Sequence, residues 1–562
     1  MNKDRHKKVR VASMRTSSSG IHASSSSRPS RRRARWAGLL SALLVLGLVL
    51  SACGGGGATG AGGGTDPAEG SAGTPVKGGV LKFARSLDVD VGLNPIDAPS
   101  NGSIFVIQQI FDQLVEAEAD SEVHPGLATK WESSQDGLHW TFHLRDAKFS
   151  NGEPVTAEDV KFSIERFADP KLNVNYSTLG ESIKDVEVVD PHTVTINLSH
   201  VDASFLDNVA MFAAAIVPKK VVEEVGDKAF SEHPVGSGPF ELKEYVRGQK
   251  TTLVPNPNYW RKGEPYLNEV VFEYVPDANT RVLKVRSGEA QVADAIPYNQ
   301  VAALEGTEGL EVQSADTLSW TSVFLNLKKP PLEDEKIRQA LNYATPKEQI
   351  LESVLYGHAE ISNSNTPKLK YWDESIPPYP YDIAKAKELM AESSSPDGFN
   401  LELTIPAGEP AVQQTIEILK QEWAKIGVTV NIVPKEFGAM FGAWLEGKGG
   451  MAATFPPLAL SSDTLSDDEI VAITLDPSAG LNALGTSYDN PKVNRLIREA
   501  KGTLDEEKRA QDFAEIQQIA LDEAPAVPLF FTQSLTAVGS EVKNFQTFPI
   551  GWWPLREVWL EG

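Results

Sequence analysis

The residues able to do chemistry in this chain are few, and their spacing argues against most reactions. Nine histidines serve 562 residues, and His6 and His22 lie in the first two dozen. His139 and His143 fall on one face of the alternating stretch HWTFHLRD. Four residues along a strand separate them by roughly 13 Å, too far to share one metal ion. GSGPF (Gly236–Phe240) has the glycine content of a phosphate loop but no Lys-Ser/Thr after it and no strand-to-helix dinucleotide context. It reads as a tight turn into FELKEY. Carboxylates abound, so a glycosidase-like pair stays open, though nothing marks which two. No cofactor and no metal are expected. The one cysteine, Cys53, sits where an uncharged run meets a glycine tract.

That position has its own chemistry. Arg28, Arg31, Arg32, Arg33 and Arg35 precede AGLLSALLVLGLVLSA, which is too short to span a bilayer comfortably. A cationic region, an apolar run and small residues are the order of an export signal. Leu50-Ser51-Ala52-Cys53 resembles a bacterial lipobox, in which the cysteine sulfur takes a diacylglyceryl group and becomes the first mature residue. Residues 1–52 are therefore expected to be a lipoprotein signal and 53–76 a flexible glycine-rich tether. The pair Arg31-Arg32 leaves the general and twin-arginine export routes both open. Residues 1–52 carry a net charge of +10, so the remainder of a chain at −23 stands at −33. Such a body repels nucleic acid and anionic membrane surfaces. A single cysteine permits no internal disulfide, and a body of this length relies on buried cores instead.

The elements that must position any site alternate between strands and helices. HWTFHLRD and the two halves of VEVVDPHTVTINL read as strands, the latter around a turn at Asp190-Pro191. VTAEDVKFSIERF predicts a helix with a Thr156–Asp159 capping box. DEKIRQALNYA sets Ile337, Ala340, Leu341 and Ala344 on one helix face. In TPKEQILESVL, Thr345 is the expected cap, Pro346 the first helical residue and Glu348 the box partner. Strands and helices mixed without a short repeat imply α/β layers.

Several segments, taken in order, resemble the extracellular solute-binding proteins of family 5, which serve ABC importers of peptides and nickel. They begin with HPGLATKWESSQDGLHWTFHLRDAKFSNGEPVTAEDVKFSIERF (His124–Phe167). GSGPFELKEY, NPNYW, LKVRSGEAQVADAI, NLKKPPLEDEKIRQALNYATPKEQI and YDIAKAKELM follow. YDNPKVNRLIREAKGTLDEEKRAQDFAEIQQIALDEAPAVPLF closes the series. The resemblance implies an α/β two-lobe clamp of the type II periplasmic-binding fold. Residues 77–120, 240–326 and 531–562 would form the first lobe, 121–239 an extra α/β domain within it, and 327–530 the second lobe. Hinges would lie near Asn326 and Phe530.

The same resemblance implies a monomer, lipid-anchored at the outer face of the cytoplasmic membrane. It would hand a small solute to an ABC permease with its ATPase subunits. Peptide binders of the family present an aspartate to the ligand's α-ammonium; Leu458–Ser462 at the corresponding place hold no acid. A peptide-like solute and a neutral one such as an oligosaccharide both remain open. Expected ligand contacts are Asn101, Ser103 and Phe105, then Trp320 and Ser322 on the strand LSWTSVFLN, then Phe455 and Ser461, with Trp552 and Trp553 at the floor; Trp372 is a further flat face. Alternation puts Trp320, Ser322 and Phe324 on one strand face, so one face is expected to serve the core and the other the cleft. An extracellular hydrolase using the same cleft, and a ligand sensor on the same fold, are the alternative functions.

Overall fold

The computed structural model describes residues 74–562 apart from 90–91, 99, 174–175, 457–459 and 480–481. The expected export signal, Cys53 and most of the expected tether lie outside these residues.

Two long antiparallel strands, Leu310–Leu325 and Ala526–Gly539, form the spine of one large sheet. On one side the sheet continues from Ala526–Gly539 through Val292–Ala293, Val80–Arg85, Glu269–Tyr274, Lys250–Pro255 and Phe240–Val246. On the other side it continues from Leu310–Leu325 through Ala452–Ala453, Phe399–Pro406 and Val428–Lys435. Phe399–Pro406 and Val428–Lys435 run parallel, joined by the helix Pro410–Ala424. Val428–Lys435 begins by alternating buried and exposed residues, Val428 and Val430 facing the core and Thr429 and Asn431 facing out. The two halves are the two lobes of a clamp, and the long strands cross between them.

The crossing is irregular. Asp316 pairs with Gln533 and Trp320 with Phe531, so Thr317, Leu318 and Ser319 bulge opposite Thr532. Asn326 lies beyond this break, where its N–H donates to the Met451 carbonyl at 2.9 Å. A bulge frees backbone groups that need other partners. Leu318 N–H donates to Pro549 O at 2.8 Å, Leu318 O accepts from Ser462 N–H at 2.9 Å, and Ser319 bridges Ser461.

Between Arg85 and Phe240 the chain leaves the large sheet and builds a four-stranded antiparallel one from Ala128–Ser133, His139–Leu144, Thr193–Leu198 and Ile183–Asp190. The helix Ala157–Ala168 packs on it, and its capping box forms as its sequence predicts, with Thr156 N–H donating to Asp159 at 3.0 Å. This insert has no separate core. Phe142, Phe167 and Ile196 belong to the same apolar cluster as Phe83, Ile107 and Val270 of the first lobe. The turn Gly236–Phe240 returns the chain to the large sheet. A Cβ on Gly236 would stand 2.0 Å from the Ile110 carbonyl oxygen, so the glycine is there for close approach.

One local expectation fails. The helix after DEKIRQALNYA starts at Lys347 with Pro346 as its cap residue, and Thr345 instead donates its hydroxyl to the Leu341 carbonyl at 2.7 Å. Thr345 thus closes the preceding helix, an i to i−4 bond open to any threonine at a helix end.

Candidate functional site

Asn101, Ser103 and Phe105 sit on the helix Asn101–Ile110. Arg85 holds the start of that helix through the Asn101 and Gly102 carbonyls at 3.1 and 3.2 Å. Ser103 is buried and Asn101 half-buried. Phe105 meets Trp553 edge to face, ring centres 5.1 Å apart, while the Arg85 guanidinium lies 5.4 Å from the Trp553 ring centre. Trp553 is a core residue against Phe83 and Phe545. Its neighbour Trp552 packs on Phe548 and borders a cavity of about 20 Å³, room for one water, with Asp112, Glu116 and Arg556. Burial and the nearby Glu116 push the Asp112 carboxyl up to about 6, though it accepts from Trp260 Nε1 at 3.0 Å.

Trp320 and Phe455 are brought into one apolar cluster with Phe324 and Phe531. Phe455 stacks within 5.3 Å of Phe324 and meets Phe441 edge-on at 5.2 Å. Trp320 is 1 % exposed, and its indole N–H has no acceptor among the described residues. The Ser322 hydroxyl is likewise buried without a partner, as are the indole N–H groups of Trp552 and Trp553. Ser461 is half-buried and tied to Ser319 by the bridge already described. Trp372 donates to Asn363 at 2.6 Å and meets Phe531 edge-on.

The alternation argument for Leu310–Leu325 holds only in part. Trp320 and Phe324 do share a face, but Val323 and Leu325 on the other face are equally buried, in a second apolar cluster. Both faces serve cores, because the strand lies inside a large sheet rather than on its surface. His139 is exposed and pairs with Asn197 at 2.7 Å. Among the described residues no group of three or more His, Cys, Asp or Glu is placed to hold a metal ion.

A polar seam that the motifs did not announce joins the insert to the second lobe. The Ala203 N–H donates to Lys501 O at 3.0 Å, the Ser204 hydroxyl donates to Asp468, and Lys501 Nζ reaches Glu181 at 2.8 Å. Arg509 donates to Asp468 at 2.7 Å and to the Tyr371 hydroxyl at 3.1 Å. Asp468 belongs to the run SSDTLSDDE, whose Ser466 caps the helix Asp467–Leu475. That acid run was visible in the sequence; its partners, from 41 to 264 residues away, were not.

The comparisons now bear on this geometry. The family described as bacterial extracellular solute-binding proteins, family 5, matches residues 122–482. This chain belongs to that family.

As a family 5 member it is 30 % identical over 483 residues to heme-binding protein A of Haemophilus influenzae, covering 81 % of this chain and 87 % of that protein. It is 29 % identical over 477 residues to the glutathione-binding protein GsiB of Salmonella typhimurium, covering 83 % and 93 %. Among solved structures, the periplasmic binding protein DppA of Helicobacter pylori, in complex with the peptide STSA, superposes with a TM-score of 0.77 at 28 % identity, covering 87 % of this chain and 99 % of that one. The family 5 fold is thus the two-lobe clamp expected from the motifs. Family 5 proteins serve ABC importers outside the cytoplasm, and among the described residues no helix is long and apolar enough to cross a membrane.

Proposed function

We propose that this chain is a lipid-tethered extracellular receptor that captures a small organic solute, peptide-like or neutral, and delivers it unchanged to an ABC permease. One observation carries the reading. At the bulge Thr317–Ser319 the crossing strand is met by Pro549 from the returning C-terminal stretch and by Ser461 and Ser462 from the second lobe. Backbone of both lobes therefore meets where the clamp pivots, and only contacts to both lobes favour the closed state. Trp320, Ser322, Phe455 and Ser461 flank this point, with Asn101, Ser103, Phe105, Trp552 and Trp553 as the first-lobe contacts. Unpartnered indole and hydroxyl groups on Trp320, Ser322, Trp552 and Trp553 suit a solute rich in hydrogen-bond acceptors.

The described residues Leu460, Ser461 and Ser462 carry no acid, which supports weak recognition of a free peptide α-amine. The test is native mass spectrometry of the protein purified from its own membranes, followed by calorimetry with the released solute and with short unmodified peptides. Recovery of one solute that binds in the micromolar range and comes back unchanged supports the reading. A solute that is chemically converted overturns it. Micromolar binding of peptides through their free amine would overturn the selectivity expected here, which is millimolar.

A further inference from the structure

The seam between the insert and the second lobe is richer in acid than in base. Asp202 and Asp207 come from the insert, and Asp467 and Asp468 from the second lobe. Asp202, Asp467 and Asp468 are buried, and Asp207 is half-buried. Two cations answer them directly. Arg509 binds Asp468, and Lys501 lies near Asp202 and Asp468 while its ammonium bonds Glu181. Lys370 approaches Asp207 but is paired with Glu506 at 2.9 Å, and Glu122 adds another negative charge beside Asp207. Asp467 accepts only the Tyr371 backbone N–H, at 3.3 Å, and one Asp468 oxygen is buried without a partner. Further along the same seam, Tyr176 of the insert approaches Asp463, which lies beside Glu469, and Glu469 accepts from the Thr464 hydroxyl at 3.2 Å.

Because the insert shares its core with the first lobe, it moves with that lobe. On the clamp reading, the seam is made as the lobes close. We propose that closure of this clamp takes up protons at the carboxyls of Asp207 and Asp467, so that acidity favours the closed form.

Desolvation and neighbouring Asp468 push both carboxyls up to about 7, well above a solvated aspartate. The sign follows. A group whose pKa is higher in the closed form penalises closure fully above that value, and the penalty fades as pH falls from about 7 toward about 4. Opened to water, both groups return to the ordinary range, and their negative charges drive the lobes apart at alkaline pH.

The proposal rests on the clamp reading of the fold and needs no solute, so its failure would leave solute capture standing. Small-angle scattering of the whole mature chain without added solute measures the closed fraction at about pH 6 and about pH 8. The closed-to-open ratio is expected to rise on the order of tenfold or more at the lower pH. Asp207→Asn with Asp467→Asn should raise the ratio at about pH 8 and make the slope shallower, with burial of Asp463 and Glu469 along the same seam keeping the remainder. A wild-type ratio that does not change with pH overturns the proposal, as does a double variant that keeps the wild-type slope. If the double variant does not melt cooperatively, the single variants decide: each should lose part of the slope, and singles that keep it all overturn the proposal.

Discussion

Ser462 donates its backbone N–H to the carbonyl of Leu318 at 2.9 Å, although the two residues belong to different halves of the clamp's sequence. The bond fills the vacancy left where Leu310–Leu325 breaks register with Ala526–Gly539. It places a second-lobe segment against the pivot, two residues from the Trp320 indole.

Trp320 should act on both stability and binding. Trp320→Ala leaves a large hole in a core shared with Phe324 and Phe455, and should cost about 3–5 kcal/mol, read as a fall in Tm. Trp320→Phe keeps an apolar ring and loses the pyrrole half of the indole, including an N–H that has no acceptor among the described residues. Its Tm should stay within a few degrees of wild type while solute affinity drops about 3- to 10-fold, as for one lost hydrogen bond. Calorimetry on the Phe variant decides; unchanged affinity would make the indole a packing group alone.

Gly236→Ala tests the turn that ends the insert. Its Cβ would meet backbone, the Ile110 carbonyl, and not a flexible side chain. The substitution should cost at least about 2 kcal/mol and lower the denaturant midpoint. Gly248→Ala is the control, since nothing lies within 4 Å of a Cβ there and only the positive φ of 73° opposes it.

Lys347 is buried in the second lobe, its ammonium donating to Ser362 O at 3.1 Å. Desolvation pulls it down to about 7. With a folded pKa below the unfolded value, the destabilising penalty is full below about 7 and disappears as pH rises toward about 10. Stability should therefore climb between neutral and alkaline pH by an amount that Lys347→Met abolishes. The Met variant should melt higher at pH 7; a lower Tm there would show that the bond to Ser362 outweighs the buried charge.

Cys53→Ser removes the sulfur expected to carry lipid. The protein should leave the membrane fraction or accumulate with residues 1–52 uncut. A variant that still pellets with membranes at the wild-type mature mass would end the lipoprotein reading.

Much of this was legible before any coordinates. Local rules placed the Thr156–Asp159 box, the strand pair around Asp190-Pro191 and the amphipathic helix at Ile337, because each depends on residues only three or four apart. Thr345 shows where such rules slip: two neighbouring helices competed for one hydroxyl, and the sequence carries no measure of which wins.

The candidate site divides along the same line. By its own order of motifs the sequence determined the family, the α/β clamp and the acidity of its body, and it offered Trp320 and Phe455 as partners. What only tertiary structure decided is how separated stretches meet. The bulge at Thr317–Ser319 depends on backbone bonds from Pro549 and Ser462, and the seam on Ser204 finding Asp468 and Arg509. These contacts join residues from tens to hundreds of positions apart, and their energies come from burial and desolvation, which exist only once the chain has folded.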